Sequence, residues 1–234
     1  CVVLVATIRA IKMHGGVEKD DLKKENLELL KKGLPNLERH VQNIKQFGLQ
    51  IIVAINHFVT DTDKEVQAVK EYCSKLGVKA SLCKHWADGG NGAKDLASNV
   101  IDLCKKNKKE TFKNLYSDET PILEKIEKIA KNIYKAKSVE VDEKIKEQIK
   151  NIEHAGFKKF PVCIAKTQYS FSTDPKLKGA PSDHILQVRE VRLSSGAEFV
   201  VVVCGSIMTM PGLPRTPAAD SIKLNKKGDI EGLF

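Results

Sequence analysis

The sequence predicts an α/β fold: a parallel sheet flanked by helices, followed by a further α/β region of different character. Three observations carry this. Short continuous apolar runs recur at 1–7, 49–55 and 78–82, as in strands buried on both faces. Each is followed by a segment whose apolar residues fall three and four apart, the period of a helix packed along one face. Glycines and a capping signal mark the junctions. With 234 residues, 41% of them hydrophobic and 29% charged, the chain can build a sizeable core and is neither disordered nor low-complexity.

The first run, apolar from Cys1 to Ala6, reads as a buried parallel strand. Chains seldom open inside a core strand, so the sequence is expected to be a fragment that continues upstream of Cys1. Leu27, Leu30, Leu34, Leu37, Val41 and Ile44 form one helical stripe. Gly33 and Pro35 interrupt it, which predicts a kink or two shorter helices. Gly48 ends this pattern and 49–55 is the second strand. Thr62 and Glu65 have the spacing of a capping box. They open a helix whose inner face is Val66, Val69, Cys73 and Leu76, stopped by Gly77. The third strand is 78–82, and 88–92 is a Gly-rich turn. Leu96, Val100, Leu103 and Cys104 are the expected inner face of the next helix. Ligands of such sheets sit beyond the carboxyl ends of the strands, which directs attention to 12–16, 56–62 and 83–92.

A Lys/Glu-rich helical segment spans 105–160, and the remainder, 161–234, alternates strands with irregular chain. Thr120-Pro121 reads as an N-cap followed by proline at the first helical position. Ile122, Ile126, Ile129 and Ile133 line one face of that helix, and a second helix is expected from 142 to 155, closed by Gly156. Strands are expected at 160–165, 185–193 and 199–204. In the middle one, Arg189, Val191 and Leu193 should share one face and Glu190 and Arg192 the other. The segment 208–217, with three prolines, shows no period, and 225–229 reads as a turn.

The net charge is +9, which favours anionic ligands. The lysines are interleaved with acids, as on solvated helix faces, so no nucleic-acid partner is expected. No apolar run approaches the ~20 residues that span a bilayer, and no membrane partner is expected. The six cysteines, Cys1, Cys73, Cys83, Cys104, Cys163 and Cys204, form no CxxC pair. They read as reduced, buried thiols.

Two segments carry candidate chemistry at strand ends. His57 to Thr62 contains Phe58, which is either core or a stacking surface for a planar ring. Cys83 to Gly90 contains Trp86, the single tryptophan, beside a turn whose backbone can approach a ligand. Cys83, His85 and His57 fit no four-ligand zinc spacing, so no metal site is expected. The densely polar run Lys166 to Ser172 suits an anionic or amide-bearing ligand, or is a loop held by its own hydroxyls. Arg9 and Lys12 are free to serve an oxyanion or a rim salt bridge. No GxxxxGK[ST] phosphate loop and no GxGxxG fingerprint occurs.

Five stretches resemble the formate–tetrahydrofolate ligase family, also called formyltetrahydrofolate synthetase: Val5 to Gly16; Asn56-His57-Phe58 with Thr60-Asp61-Thr62; His85 to Gly90; Ala165 to Ser172; and Met208 to Pro214 with Gly232-Leu233-Phe234. The resemblance runs through the whole chain in order. It implies the C-terminal portion of such an enzyme, either free-standing or part of a larger eukaryotic C1-tetrahydrofolate synthase. The implied fold is a P-loop NTPase-like core whose phosphate loop lies upstream, with 1–104 as the C-terminal part of the nucleotide/folate-binding core. The segment 105–160 is then a helical piece and 161–234 a C-terminal α/β region.

The implied reaction uses ATP, Mg²⁺, formate and tetrahydrofolate. Formate is phosphorylated to formyl phosphate, which the folate N10 attacks to give 10-formyltetrahydrofolate, ADP and phosphate. Family members are homo-oligomers, dimers or tetramers, and either cytoplasmic or mitochondrial. Carried over by position, Phe58 and Trp86 resemble the aromatics that sandwich a planar ring, with Val59 and Leu82 as neighbouring apolar contacts. The family often has proline where this chain has Val59. Lys166, Gln168 and Tyr169 belong to a family motif without an assigned role. Catalytic residues are expected upstream, so the 234 residues alone are expected to lack ligase activity. The alternative is a folate- or nucleotide-binding module without phosphoryl transfer.

Overall fold

The computed structural model describes residues 1–106, 112–207 and 215–232. The first three strands, β1 (Val2–Ala6), β2 (Ile51–Asn56) and β3 (Lys79–Cys83), form a parallel sheet in the order β1-β2-β3. Because the three are parallel, each must return through a helix. α1 (Ile8–Gly15) and α2 (Leu27–Lys45) connect β1 to β2, and α3 (Asp63–Lys75) connects β2 to β3. Leu4, Ala6, Val53, Ile55, Ala80 and Leu82 share the face that packs on these helices, around Ile8, Leu30, Leu34, Leu37, Val41, Val66 and Val69. The opposite face is covered by α5 (Lys94–Lys106), which lies over β2 and β3.

That second layer is thinner than the sequence suggests. Leu96, Val100 and Leu103 of α5 are only half-buried, and Cys104 is exposed. The helix sits over β2 and β3 and leaves β1 open, with Val3 40% and Val5 63% exposed. Cysteine burial is accordingly mixed: Cys73, Cys83 and Cys204 are buried, while Cys104 and Cys163 are exposed, and all six are free.

Helix α2 is continuous through Gly33 and Pro35. Pro35 falls on the exposed side, where water can satisfy the carbonyl it frees. Gly33 serves a different purpose from a breaker. A Cβ built there would lie 1.9 Å from the Ile11 carbonyl oxygen, and one at Gly15 would lie 1.7 Å from the Leu29 carbonyl oxygen. The two glycines let α1 and α2 cross backbone against backbone.

A buried ion pair locks this corner. Lys12 and Glu65 are 1% and 0% exposed and lie 2.9 Å apart. Lys12 Nζ also donates to the Lys24 carbonyl at 2.9 Å. The Glu65 carboxylate accepts from the Asn26 amide at 3.0 Å and the Thr62 amide at 3.2 Å, the latter completing the capping box of α3. Burial pushes the Glu65 carboxyl up, but the Asn26 amide, Lys12 and the Thr62 amide together pull it below its ordinary 4.5.

The second half builds a mixed four-stranded sheet in the order β4-β6-β7-β5 from β4 (Ser138–Glu140), β5 (Val162–Ala165), β6 (Ile185–Ser194) and β7 (Phe199–Cys204). β6 and β7 are antiparallel, while β4–β6 and β5–β7 are parallel. α6 (Ile122–Asn132) and α7 (Glu143–Ile152) close its core with Ile122, Ile126, Ile145 and Ile149 against Leu186, Val188, Val191, Val200 and Val202. Two expectations change here. A register shift between Val188 and Glu190 puts both Val188 and Val191 in the core, so Arg189 does not share a face with Val191. Such bulges break the period of two. Pro121 is the cap residue of α6, and the Glu153 carboxylate accepts from the Ile122 amide at 2.7 Å. A terminal hairpin, β8 (Lys223–Leu224) with β9 (Ile230–Glu231), turns at Asn225 to Asp229. The motif at 208–214 and residues 233 and 234 lie outside the described residues.

Two consequences are measurable by chemical denaturation. Gly33→Ala should cost about 3 kcal/mol or more, because backbone atoms must move. Gly196→Ala, with open space around it, should change stability by less than about 0.5 kcal/mol. Glu65→Gln should cost about 3–5 kcal/mol at neutral pH by leaving Lys12 buried without its counter-charge. Since the Glu65 carboxyl is held below 4.5, its contribution is complete above that pH and fades as pH falls through its folded value. The gap between wild type and Glu65→Gln should therefore narrow in acid.

Candidate functional site

All three parallel strands of the first sheet end at one edge, and the loops that follow gather there. After β2, Phe58 and Asp61 close a tight turn: the Phe58 amide donates to the Asp61 carboxylate and the Asp61 amide to the Phe58 carbonyl, each at 2.9 Å. The His57 amide donates to the Cys83 carbonyl at 3.1 Å, which fastens this turn to the end of β3. From α1, the Arg9 guanidinium lies 4.1 Å above the Phe58 ring and donates to the Thr60 hydroxyl at 3.2 Å. Phe58 is half-buried beneath it and is not part of the core. Arg9 Nε is buried and has no hydrogen-bond partner among the described residues.

After β3 the chain forms the single turn α4 (His85–Asp88) and the glycine-rich turn Gly89–Ala93. Gly92 is required here. A Cβ at that position would lie 2.4 Å from the Lys84 carbonyl carbon, and the Gly92 carbonyl accepts from the Lys84 amide at 3.1 Å. The loop thus closes on its own base and presents Trp86, which is 81% exposed. Val59, on the neighbouring loop, is 82% exposed. Leu82 is half-buried against the first core, below both loops. No ring contact among the described residues joins Phe58 to Trp86; the partner of Phe58 is Arg9. The edge therefore offers an exposed indole, an exposed isopropyl group and a phenyl ring topped by a cation. Such a surface suits a planar, partly polar ring system.

Lys166, Gln168 and Tyr169 follow β5 and sit elsewhere, against the C-terminal part of α1 and the middle of α2. Lys166 Nζ donates to the Thr167 carbonyl at 3.1 Å and to the Ser170 carbonyl, and lies 4.7 Å from the Tyr134 ring centre. Burial pushes its amine down to about 8. Lys166 and Gln168 line a small cavity with His14, Asn36, His40, Tyr134, Thr167, Ser170 and Phe171. Tyr169 is 46% exposed, with the Lys178 amine 4.8 Å from its ring centre. Ser170 and Ser172 satisfy each other at 2.9 Å and cap their own loop. The loop is thus self-stabilised and at the same time aims its lysine at a cavity.

By sequence, Arg9 and Lys12 each suit an oxyanion or a rim salt bridge. The structure makes Arg9 the cap of Phe58 and Lys12 the partner of Glu65. His14, Asn36, His40 and Tyr134 carry no motif of their own and emerge only from packing. Glu190 and Arg192 form an exposed pair at 2.7 Å. Among the described residues no group of three His, Cys, Asp or Glu side chains is placed to hold a metal ion, and no helix is long and apolar enough to cross a membrane.

The family profile described as "Formate--tetrahydrofolate ligase" matches residues 1–234. A protein of that description from Pelagibacter ubique (strain HTCC1062) is 66% identical over 234 residues, covering 100% of this chain and 42% of the relative. Those from Hyphomonas neptunium (strain ATCC 15444) and Sinorhizobium fredii (strain NBRC 101917 / NGR234) are 59% and 56% identical over 232 residues, covering 99% of this chain. The chain thus spans 41–42% of the length of these curated relatives. The match extends through every element of both sheets, and the chain belongs to the formate–tetrahydrofolate ligase family.

Proposed function

We propose that the protein carrying this chain ligates formate to tetrahydrofolate at the expense of ATP, giving 10-formyltetrahydrofolate, ADP and phosphate by way of formyl phosphate. The observation that carries the reading is the exposed Trp86 beside Val59 and the Arg9-capped Phe58 at the carboxyl edge of a parallel sheet, in a chain 66% identical to a protein of that description. In this reading Trp86 and Phe58 hold the planar ring of the folate, Val59 shields it from water, and Leu82 supports the floor. Stacking fixes the ring plane, and a fixed plane sets where the folate amine points. The Arg9 cation lies on the same wall, where it can meet ring heteroatoms or an approaching oxyanion.

The first sheet is read as part of a P-loop NTPase-like core. Its parallel order and the position of β1 at the edge of that sheet support a sheet that continues beyond β1. ATP and Mg²⁺ are a different matter for the residues present. The sequence holds no GxxxxGK[ST] loop, and the described residues offer no cluster for a divalent ion. No step of phosphoryl transfer is assigned to the described residues. Their part is to bind and orient the folate.

Two measurements test the proposal. Given ATP, Mg²⁺, formate and tetrahydrofolate, the complete protein should form 10-formyltetrahydrofolate; folate binding without turnover would instead identify a non-catalytic binding module. Trp86→Ala should weaken tetrahydrofolate binding by ~1–3 kcal/mol, as for other stacked planar ligands. Folding stability should stay within about 0.5 kcal/mol, since the indole is solvent-facing. Unchanged folate affinity in that variant, read by calorimetry, would remove Trp86 from the site.

A further inference from the structure

The cavity at Lys166 is distinct from the Trp86 edge and has a chemistry of its own. It measures about 140 Å³, room for a small ion and a few waters, each of which occupies ~30 Å³ in the liquid. Lys166, His14 and His40 line it together with Asn36, Gln168 and Thr167, and among the described residues no carboxylate does. Its surroundings are basic as well. Burial and the charges of Lys178 and His40 hold His14 below its ordinary range; burial, Lys166 and Arg39 do the same to His40 and to His184. Of the nearby acids, Glu38 takes the Tyr72 hydroxyl, and Asp183 lies close enough to His184 to act on it.

Two details sharpen the picture. Among the described residues Lys166 has no carboxylate partner, and it donates to the Thr167 and Ser170 carbonyls. The Gly179 amide donates to His14 Nδ1 at 3.2 Å. A neutral His14 therefore carries its proton on Nε2, which leaves that atom as a donor. An amine, an imidazole donor and two amide groups around a pocket without negative charge form a receptor for oxygen anions.

We propose that Lys166, His14 and His40, with Asn36 and Gln168, form a binding pocket for a small oxyanion, a carboxylate or a phosphate group. The bound anion supplies the counter-charge that Lys166 lacks in the fold. The pocket is reached from an adjoining groove of about 300 Å³ along α1 and β1, which shares His14, Asn36 and His40. A larger molecule can therefore enter by its anionic end.

Thermal unfolding of the complete protein, followed with inorganic phosphate in one series and acetate in another, at constant ionic strength set by chloride and without nucleotide or folate, tests this. A saturable rise in melting temperature is expected with at least one of the two anions, and the series that responds identifies the source. Lys166→Met and His40→Gln should each weaken the apparent affinity about tenfold or more. Lys128→Gln, which removes the same charge from an exposed pair on α6, should leave it unchanged. His40 is solvent-exposed on one side while the other side of its ring packs on Phe171 at 4.7 Å, the side that burial acts on, so its variant should fold even if Lys166→Met does not. The pocket is overturned if neither anion gives a saturable shift beyond chloride, or if Lys128→Gln weakens the response as much as the pocket variants do.

Discussion

The pairing of Lys12 with Glu65 joins three parts of the chain that are remote in sequence. Lys12 belongs to α1, Glu65 to the first turn of α3, and the Lys24 carbonyl and Asn26 amide to the segment that enters α2. Both charges are out of water, where an unpaired ion is strongly unfavourable. The fold must therefore place all three segments correctly or none of them. Gly15 and Gly33 make this geometry reachable, because only glycine lets α1 and α2 approach closely enough. The constraint also reaches the site. Glu65 accepts from the Thr62 amide, at the end of the turn that carries Phe58, and Arg9 leaves the same helix as Lys12 to cap that ring.

The anchored edge then bears features that stability alone does not require. An indole 81% exposed and a valine 82% exposed on adjacent loops gain nothing from the core. The Gly92 closure and the His57–Cys83 hydrogen bond hold the loops that display them. Rigid support beneath exposed apolar groups is the arrangement expected of a preformed ligand wall. The second sheet contributes differently. Its loop after β5 returns to α1 and α2, and Asn36 and Arg39 donate to the carbonyls of Gly179, Ala180 and Pro181. This contact seats Lys166 against the first half of the chain.

Much of this was legible in the sequence, for local reasons. The parallel strands, the capping box at Thr62 and Glu65, and the stops at Gly48 and Gly77 depend on neighbours a few residues away. The loops proposed to hold the ring stand out in the sequence because strand ends gather ligands and the single tryptophan stands beside a glycine-rich turn. The errors share one cause, a dependence on distant partners. Gly33 signals a break when read alone, and its crossing with α1 becomes visible only once Ile11 is brought against it. The bulge at Val188 to Glu190 shifts β6 by one position and is set by its pairing with β7. The shallow seat of α5 reflects how far that helix reaches across the sheet. Lys12 gave no sign of Glu65, and the histidines beside Lys166 belong to no motif.

The central claim is that the Trp86 edge receives the folate ring. Trp86 is the single tryptophan of this chain, and in the complete protein its emission is isolated as the difference between the wild type and Trp86→Phe. Titration with tetrahydrofolate, corrected for absorbance, should quench or shift the Trp86 emission saturably, with the same midpoint as binding measured by calorimetry. Full calorimetric binding with the Trp86 emission unchanged would contradict the account.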